Sequence, residues 1–288
     1  MNKIFGPILA IFVLTEACFA FPVIVKDDFG TAFFSVSSPK RIISTMPSNT
    51  EILYALGLGS NIIAVSDKCN FPPDALKKKK IGAVNINVEE IVALNPDLIL
   101  MLGDAQKRQI EVLKRYRLPV FVINPRSLAD LTRSISVLGK LTRTERSAGK
   151  IVWKINNDIL AAKPSAGSSY KPKIFVELWH DPMVTAAGGT FIDDIISISG
   201  GVNIGKMAGN GYPSYSIESL IVQDPDFIIV AGKSPEDIKR IRSDKRLANL
   251  TAVKENKILL IDSDIITRPT PRLITALNLI KTFIRKPD

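Results

Sequence analysis

The chain has 288 residues, 46% of them hydrophobic, and a formal net charge of +10. This length suits two domains with sizeable cores. One histidine excludes a metal cage built from several histidines, and the basic residues form no stripe interleaved with aromatic residues. We therefore expect no metal site or cofactor of the protein's own and no nucleic-acid partner.

The first residues have the pattern of a secretory signal peptide. Lys3 supplies a positive charge, and residues 4–14 form an apolar run that is too short to span a membrane. We predict a signal peptide at residues 1–20 and an exported, periplasmic protein. Lipid attachment at Cys18 is an alternative that the residues before it fit poorly. After cleavage Cys69 is the remaining cysteine, so no intramolecular disulfide is expected.

Strands and helices alternate in the first half of the chain. The first segment, residues 22–40, is predicted to be rich in strands. Further strands are predicted at 41–46, 62–66, 98–102 and 120–123, and helices at 48–57 and 106–116. Ser48 and Glu51, three residues apart, predict a capping box at the first helix. This alternation is typical of an α/β fold with a mostly parallel sheet.

The middle of the chain lacks strand signals, and the alternation then resumes. Apolar residues at helical spacing predict two helices between residues 127 and 162, the second of them long and continuous from about residue 142. The domain boundaries that we predict are an N-terminal lobe at 21–138, an interlobe helix at 139–164 and a C-terminal lobe at 165–288. Later elements are predicted as strands at 173–178 and 258–261 and helices at 191–199 and 271–285.

A stretch near residue 90 recurs near residue 220. Residues 87–100 align without gaps with residues 216–229; Glu, Pro, Asp and one Ile coincide, and the apolar positions match in kind. Each copy predicts a capped short helix, a stop at Pro-Asp and a buried strand. Two lobes of similar design imply a ligand cleft between them. The alternative is a chance likeness between two unrelated helix–strand units.

Signals for enzymatic chemistry are incomplete. A Ser-His-Asp arrangement would have to use His180, and no Gly-x-Ser-x-Gly motif is present. Gly232-Lys233-Ser234 resembles the end of a phosphate-binding loop, but Phe227 stands where that loop needs glycine. We therefore predict a protein that is not an enzyme, with a cell-envelope enzyme as the alternative class.

Several longer motifs stand along the mature chain. The motifs in the first half are Arg41-Ile42-Ile43-Ser44-x-x-Pro47-Ser48-Asn49-Thr50-Glu51, Cys69-Asn70-Phe71-Pro72-Pro73 and Asn87-Val88-Glu89-Glu90-Ile91-x-x-Leu94-x-Pro96-Asp97. Those in the second half are Gly188-Gly189-Thr190-Phe191, Gly200-Gly201-x-Asn203-Ile204, Ser263-Asp264 and Arg268-x-x-Pro271-Arg272. Together they resemble the substrate-binding proteins of ABC importers for cobalamin, haem and iron-siderophores, and most of all the cobalamin-binding members.

The resemblance implies two α/β lobes joined by one long rigid helix, with the ligand held between them. It implies a monomeric receptor that captures a large metal chelate and delivers it to the permease and ATPase subunits of an ABC importer. Cobalamin is the favoured ligand, and haem or a ferric siderophore is the alternative. For haem, His180 and Tyr212 are the candidate iron ligands.

The resemblance also implies roles for individual residues. The ligand contacts that it implies are Pro47, Ser48, Asn49, Thr50, Phe71, Trp179, Tyr212, Asp264 and Arg268. Phe71 is equally well explained as a core residue, and Arg268 as the ion-pair partner of Asp264. Glu89 and Glu218 match the family's permease-docking positions, although helix-dipole stabilisation would also explain an acid there.

Overall fold

The computed structural model describes residues 22–82, 86–164 and 171–285. The predicted signal peptide and Cys18 lie outside the described residues. The N-terminal elements are β1 (Val23–Lys26), β2 (Ala32–Ser35), β3 (Ile42–Ser44), α1 (Pro47–Ala55), β4 (Ile62–Val65), β5 (Lys79–Lys80), α2 (Val88–Ala93), β6 (Leu98–Leu102), α3 (Lys107–Arg115) and β7 (Val120–Ile123). Strands β3 to β7 form a parallel sheet in the order β5-β4-β3-β6-β7, and β1 pairs with β2 in an antiparallel hairpin.

The second sheet defines the C-terminal lobe. The remaining elements are α4 (Leu128–Thr142), α5 (Glu145–Ala162), β8 (Lys173–Trp179), β9 (Val184–Thr185), α6 (Phe191–Ser199), β10 (Val202–Asn203), α7 (Ile217–Gln223), β11 (Phe227–Gly232), α8 (Pro235–Ser243), α9 (Thr251–Lys254), β12 (Ile258–Asp262), α10 (Ser263–Ile266) and α11 (Leu273–Ile284). Parallel strands run in the order β10-β8-β11-β12, and β9 pairs antiparallel with β8. The predicted α/β class with two similar lobes is confirmed.

The sequence repeat forms the same unit in each lobe, α2–β6 and α7–β11. Asn87 and Ser216 cap the two helices by accepting hydrogen bonds from the backbone N–H three residues later. The repeated aspartates also act alike. Asp97 accepts from the backbone N–H of Arg41, and Asp226 from that of Lys173, so each fixes the start of the neighbouring strand.

The long helix between the two sheets is α5. It begins at Glu145, inside the predicted interlobe range 139–164 but after the predicted start near residue 142, because α4 continues to Thr142 and Arg143 then adopts a left-handed conformation at φ 54°. Side chains from α11 and just after it hold its C-terminal end: Lys281 Nζ donates to the carbonyl of Ala161 at 2.5 Å, and Arg285 donates to that of Ala162 at 2.6 Å. These cations satisfy carbonyls that the helix end leaves open.

One apolar cluster runs through both lobes. It extends from Ile52 on α1 through Leu138 on α4 and Ile155 on α5 to Leu277 on α11, all of them at most 2% exposed. A continuous close-packed cluster resists relative movement of the parts that it joins. Among the residues that the structure describes, no helix combines the length and hydropathy that a bilayer-spanning segment needs.

The start of α1 differs from the prediction. The helix begins at Pro47 with Met46 at its N-cap, and no side chain caps it, so the predicted Ser48–Glu51 capping box does not form. Proline suits the first helical position because its missing N–H would have no partner there. Glu51 is thereby available for contacts outside its own helix.

Glu51 links the two lobes. Its buried carboxylate accepts a 2.8 Å hydrogen bond from Nη1 of Arg268 and lies 3.3 Å from Nη1 of Arg272, both in the C-terminal lobe. A buried carboxylate destabilises a fold unless it is paired and hydrogen-bonded. This pairing therefore fixes the separation of the lobes at their contact.

The network extends to Asn70 and Asp264. Arg268 donates to Asn70 Oδ1 at 2.8 Å and to Asp264 Oδ1 at 2.5 Å, and Asn70 Nδ2 donates to Asp264 Oδ2 at 2.9 Å. Burial by itself would raise the pKa of Asp264, but hydrogen bonds from Lys233 and Asn70 and the charge of Arg268 outweigh it and lower the pKa. At pH values above the ordinary carboxyl pKa this ionised carboxylate therefore stabilises the fold. Its contribution is lost as the pH falls through the lowered pKa.

We expect Glu51→Ala to lower the free energy of unfolding by about 3 kcal/mol, because it removes the carboxylate that Arg272 contacts and one of the two that Arg268 contacts, at a largely buried place. Chemical denaturation measures the loss, and small-angle scattering of the folded variant should show a wider separation of the lobes. Glu111→Ala, on the exposed side of α3, is the matched control. Equal stability of the two variants would show that the pairing contributes nothing.

Candidate ligand-binding cleft

A cavity of about 880 Å³ lies between the lobes. Its volume is within the range of about 300–1,000 Å³ that is usual for small-molecule sites. The residues from the N-terminal half are Met46, Leu102, Asp104, Ala105, Asn124, Pro125 and Arg126. Those from the C-terminal half are Leu178, Gly188, Gly189, Thr190, Phe191, Asn210, Gly211, Tyr212, Thr267 and Pro269. Both lobes therefore supply walls of one mostly apolar site.

The polar groups of the N-terminal wall follow neighbouring strands. Asp104 comes just after β6 and Asn124 just after β7, so the parallel pairing of these strands brings them together. Asp104 Oδ2 accepts from Asn124 Nδ2 at 2.9 Å and from Nη2 of Arg126 at 2.6 Å, and the Asp104 N–H donates to Asn124 Oδ1 at 3.1 Å. The hydrogen bond from Asn124, together with the hydrogen bond and charge of Arg126, lowers the pKa of Asp104.

Backbone pairing holds the loop that carries Tyr212. The N–H of Ala187 donates to the carbonyl of Gly211 at 2.8 Å, and the N–H of Thr185 to that of Pro213 at 3.1 Å. Gly211 has φ 77°, a conformation that few other residues adopt without strain. The loop thus presents Tyr212 at the cavity with its side chain 51% exposed, while desolvation by the surrounding protein raises the pKa of its phenol to about 12.

Tyr212 is the predicted ligand contact that lines this cavity. Trp179 lies outside its lining: the residue is 65% exposed at the end of β8, and its indole N–H donates to the carbonyl of Asp181. Because successive side chains of a strand point to opposite faces, Leu178 rather than Trp179 meets the cavity. An apolar strand ending in an aromatic residue gave no information on which face that residue would occupy.

The four predicted contacts at residues 47–50 are buried inside the N-terminal lobe. Asn49 donates to the carbonyl of Leu100 at 3.0 Å, and the Thr50 hydroxyl lies 2.7 Å from that of Ser44. Asn49 and Thr50 have no exposed surface, and Pro47 and Ser48 are also buried. Met46, just before them, lines the cavity in their place. The segment therefore supports the cavity wall from behind in this structure.

Phe71, Asp264 and Arg268 belong to the contact between the lobes rather than to the lining of the cavity. The guanidinium of Arg272 stacks on the Phe71 ring at 4.2 Å, a cation–π contact. The Asp264–Arg268 ion pair that the sequence allowed is present, within the network around Glu51. These residues are placed to hold the lobes together.

His180 also lies outside the lining of the cavity. Its Nδ1 contacts Arg240, which pairs with the buried carboxylate of Glu177. In the described ranges no group of three or more His, Cys, Asp or Glu side chains is arranged to hold a metal ion. Of the two candidate haem ligands, Tyr212 is therefore the one that the cavity presents.

The sequence did not predict six polar residues of the cavity as ligand contacts: Asp104, Asn124, Arg126, Thr190, Asn210 and Thr267. A signal for two of them was available, because Asp104 and Asn124 follow strands that an α/β sheet places side by side. Arg126 and Asn210 lie further into loops, and no periodic pattern marks them. Glu89 and Glu218 are exposed, each at the second position of its helix, as the repeat predicted.

We expect Tyr212 to titrate near pH 12 in the folded protein and near its ordinary value of 10 in the unfolded chain. Since the unfolded chain then binds fewer protons between these values, this tyrosine should make stability fall as pH rises from 10 to 12. Ultraviolet titration and denaturation of wild type and Tyr212→Phe measure both effects. A fall of the same size in both proteins would show that Tyr212 contributes none of it.

Known proteins with the same architecture identify the family. The profile described as periplasmic binding protein matches residues 42–265. The vitamin B12-binding protein of Vibrio parahaemolyticus is 30% identical over 241 residues, 83% of this chain and 86% of that protein. The structure of the periplasmic vitamin B12 binding protein of Vibrio cholerae superposes with a TM-score of 0.77 at 28% identity, covering 86% of this chain and 97% of that one. The structure of a possible iron-binding, periplasmic solute-binding protein of Staphylococcus epidermidis superposes with a TM-score of 0.74 at 32% identity. The match covers 87% of this chain and 100% of that one. This chain belongs to the periplasmic binding protein family.

Proposed function

We propose that the protein is the periplasmic solute-binding receptor of an ABC importer and that it captures a large metal chelate, with cobalamin favoured, between its lobes. The observation that carries the proposal is the cavity of about 880 Å³ whose walls come from both lobes. The family is one of binding proteins, and we propose that this member carries out no catalysis. The relatives named for vitamin B12 support cobalamin as the ligand.

The chemistry of the cavity fits a flat chelate. Tyr212 and Phe191 supply aromatic rings, and Met46, Leu102 and Leu178 supply aliphatic surface. Large apolar rings bury much area against such walls, while a few polar groups fix orientation. The lobes are tied together by α5, the shared core and the Glu51 network, so we propose that they close only slightly on the ligand.

An iron chelate is the second candidate, and the Staphylococcus epidermidis relative favours it. If the chelate were haem, the phenol of Tyr212 would be the candidate axial ligand in the cavity. A tyrosine phenol is protonated at neutral pH, so iron would have to displace the proton on binding. The relatives named for vitamin B12 place cobalamin ahead of haem.

Calorimetric titration of the purified mature protein with cobalamin, cobinamide, haem and ferric hydroxamates tests the ligand directly. We expect the tightest binding for the corrinoids. Tyr212→Ala should weaken that binding by about 1–3 kcal/mol, as for loss of a packed aromatic anchor, with little change in thermal stability. Tighter binding of haem or a ferric chelate than of either corrinoid would replace cobalamin as the assignment.

The two repeated glutamates support a docking role. Glu89 and Glu218 are exposed at equivalent places in α2 and α7, one on each lobe. Two like charges on two similar lobes suit a permease dimer that presents one basic site per subunit. We propose that these carboxylates dock the receptor on the permease, which works with its ATPase subunits.

Replacing both Glu89 and Glu218 with Ala should abolish stimulation of the reconstituted importer while ligand affinity stays within about twofold, because neither side chain lines the cavity. The matched control is Glu111→Ala with Glu236→Ala, again one exposed helical glutamate in each lobe. Loss of ligand binding in the Glu89/Glu218 variant, or unchanged stimulation, would contradict the docking role.

A further inference from the structure

The cavity carries one acidic and one basic side chain among the described residues that line it, Asp104 and Arg126, and these pair with each other at 2.6 Å. Asn124 holds Asp104 in place through two reciprocal hydrogen bonds, at 2.9 and 3.1 Å. Asn124, just after β7, therefore fixes the position of Asp104, and Arg126 on the loop that follows pairs with it. The two charges cancel inside the site.

The pair matters more under a bound ligand than in the open cleft. Asp104 and Arg126 are 58% and 63% exposed, and an ion pair in contact with water contributes little. A ligand that fills the cavity removes that water and lowers the local dielectric constant, so that an unpaired charge beneath it becomes costly. A ligand carboxylate placed there would have to break the pair or remain unpaired itself.

We propose that the Asp104–Arg126 pair sets the charge selectivity of the cleft: it favours chelates whose periphery carries neutral carboxamides over chelates that carry carboxylates. This inference rests on the proposed chelate-binding function and narrows its substrate class. Arg126 keeps guanidinium N–H groups that can donate to an amide carbonyl without leaving Asp104. On the facing wall Asn210 is exposed at the cavity and offers an amide of its own.

A matched ligand pair tests the proposal. Cobinamide and its monocarboxylate derivatives share one corrin ring and differ by a single amide or carboxylate. We expect wild type to bind cobinamide at least about tenfold more tightly than the monocarboxylates, a difference of about 1.4 kcal/mol. The selectivity ratio is the dissociation constant of the monocarboxylate divided by that of cobinamide. In Asp104→Asn the unpaired Arg126 should attract the carboxylate, so this ratio should fall to about one or below.

Asp244→Asn is the control, because Asp244 and Arg246 form a pair of the same 2.6 Å length on another surface. Its ratio should equal that of wild type. Arg126→Gln supplies a second variant that keeps Asp104, and it should raise the ratio further. An unchanged ratio in both cavity variants, with corrinoid binding intact, would overturn the charge selectivity alone. Failure of wild type to bind any corrinoid would instead overturn the cobalamin assignment and this inference with it.

Discussion

The buried carboxylate of Glu51 is the interaction on which the cleft geometry depends. It projects from α1 of one lobe and is neutralised by Arg268 and Arg272 of the other. Neither partner can move away without leaving a charge in a poorly solvated place, which costs far more than a surface pair would. The lobes are therefore held by a charge constraint at their contact as well as by a helix.

Two other features act in the same direction. The helix α5 carries the chain from one sheet towards the other, and Lys281 and Arg285 fix its end. The main apolar cluster continues through both lobes, so separation would expose core surface. A cavity between walls held in this way is largely formed before the ligand arrives, and a preformed site loses less free energy to ordering on binding.

The site follows from the arrangement of the sheets. The carboxyl ends of β6 and β7 place Asp104 and Asn124 next to one another, and the loop paired with the segment after β9 brings Tyr212 to the opposite wall. Apolar surface forms most of the cavity lining, and its charged side chains are one compensated ion pair. Such a site suits a large ligand with a flat apolar face and a neutral polar rim.

The sequence by itself determined the fold class, most of the longer helices and strands, the repeat and the exposed position of its two glutamates, because these follow from local periodicity, caps and turns. It also placed Tyr212, since glycines before it and a proline after it mark a loop that presents its side chain outward. It did not indicate α8 or the short elements β9, β10, α9 and α10. Only the tertiary structure decided the rest. The strand register decides which side of the sheet Trp179 occupies, and so whether it faces the cavity. The contact of Arg268 with Glu51 depends on a partner more than two hundred residues away in the sequence. Local pattern carries no information about either, because the first is set by strand pairing within the C-terminal sheet and the second by how the two lobes pack against each other.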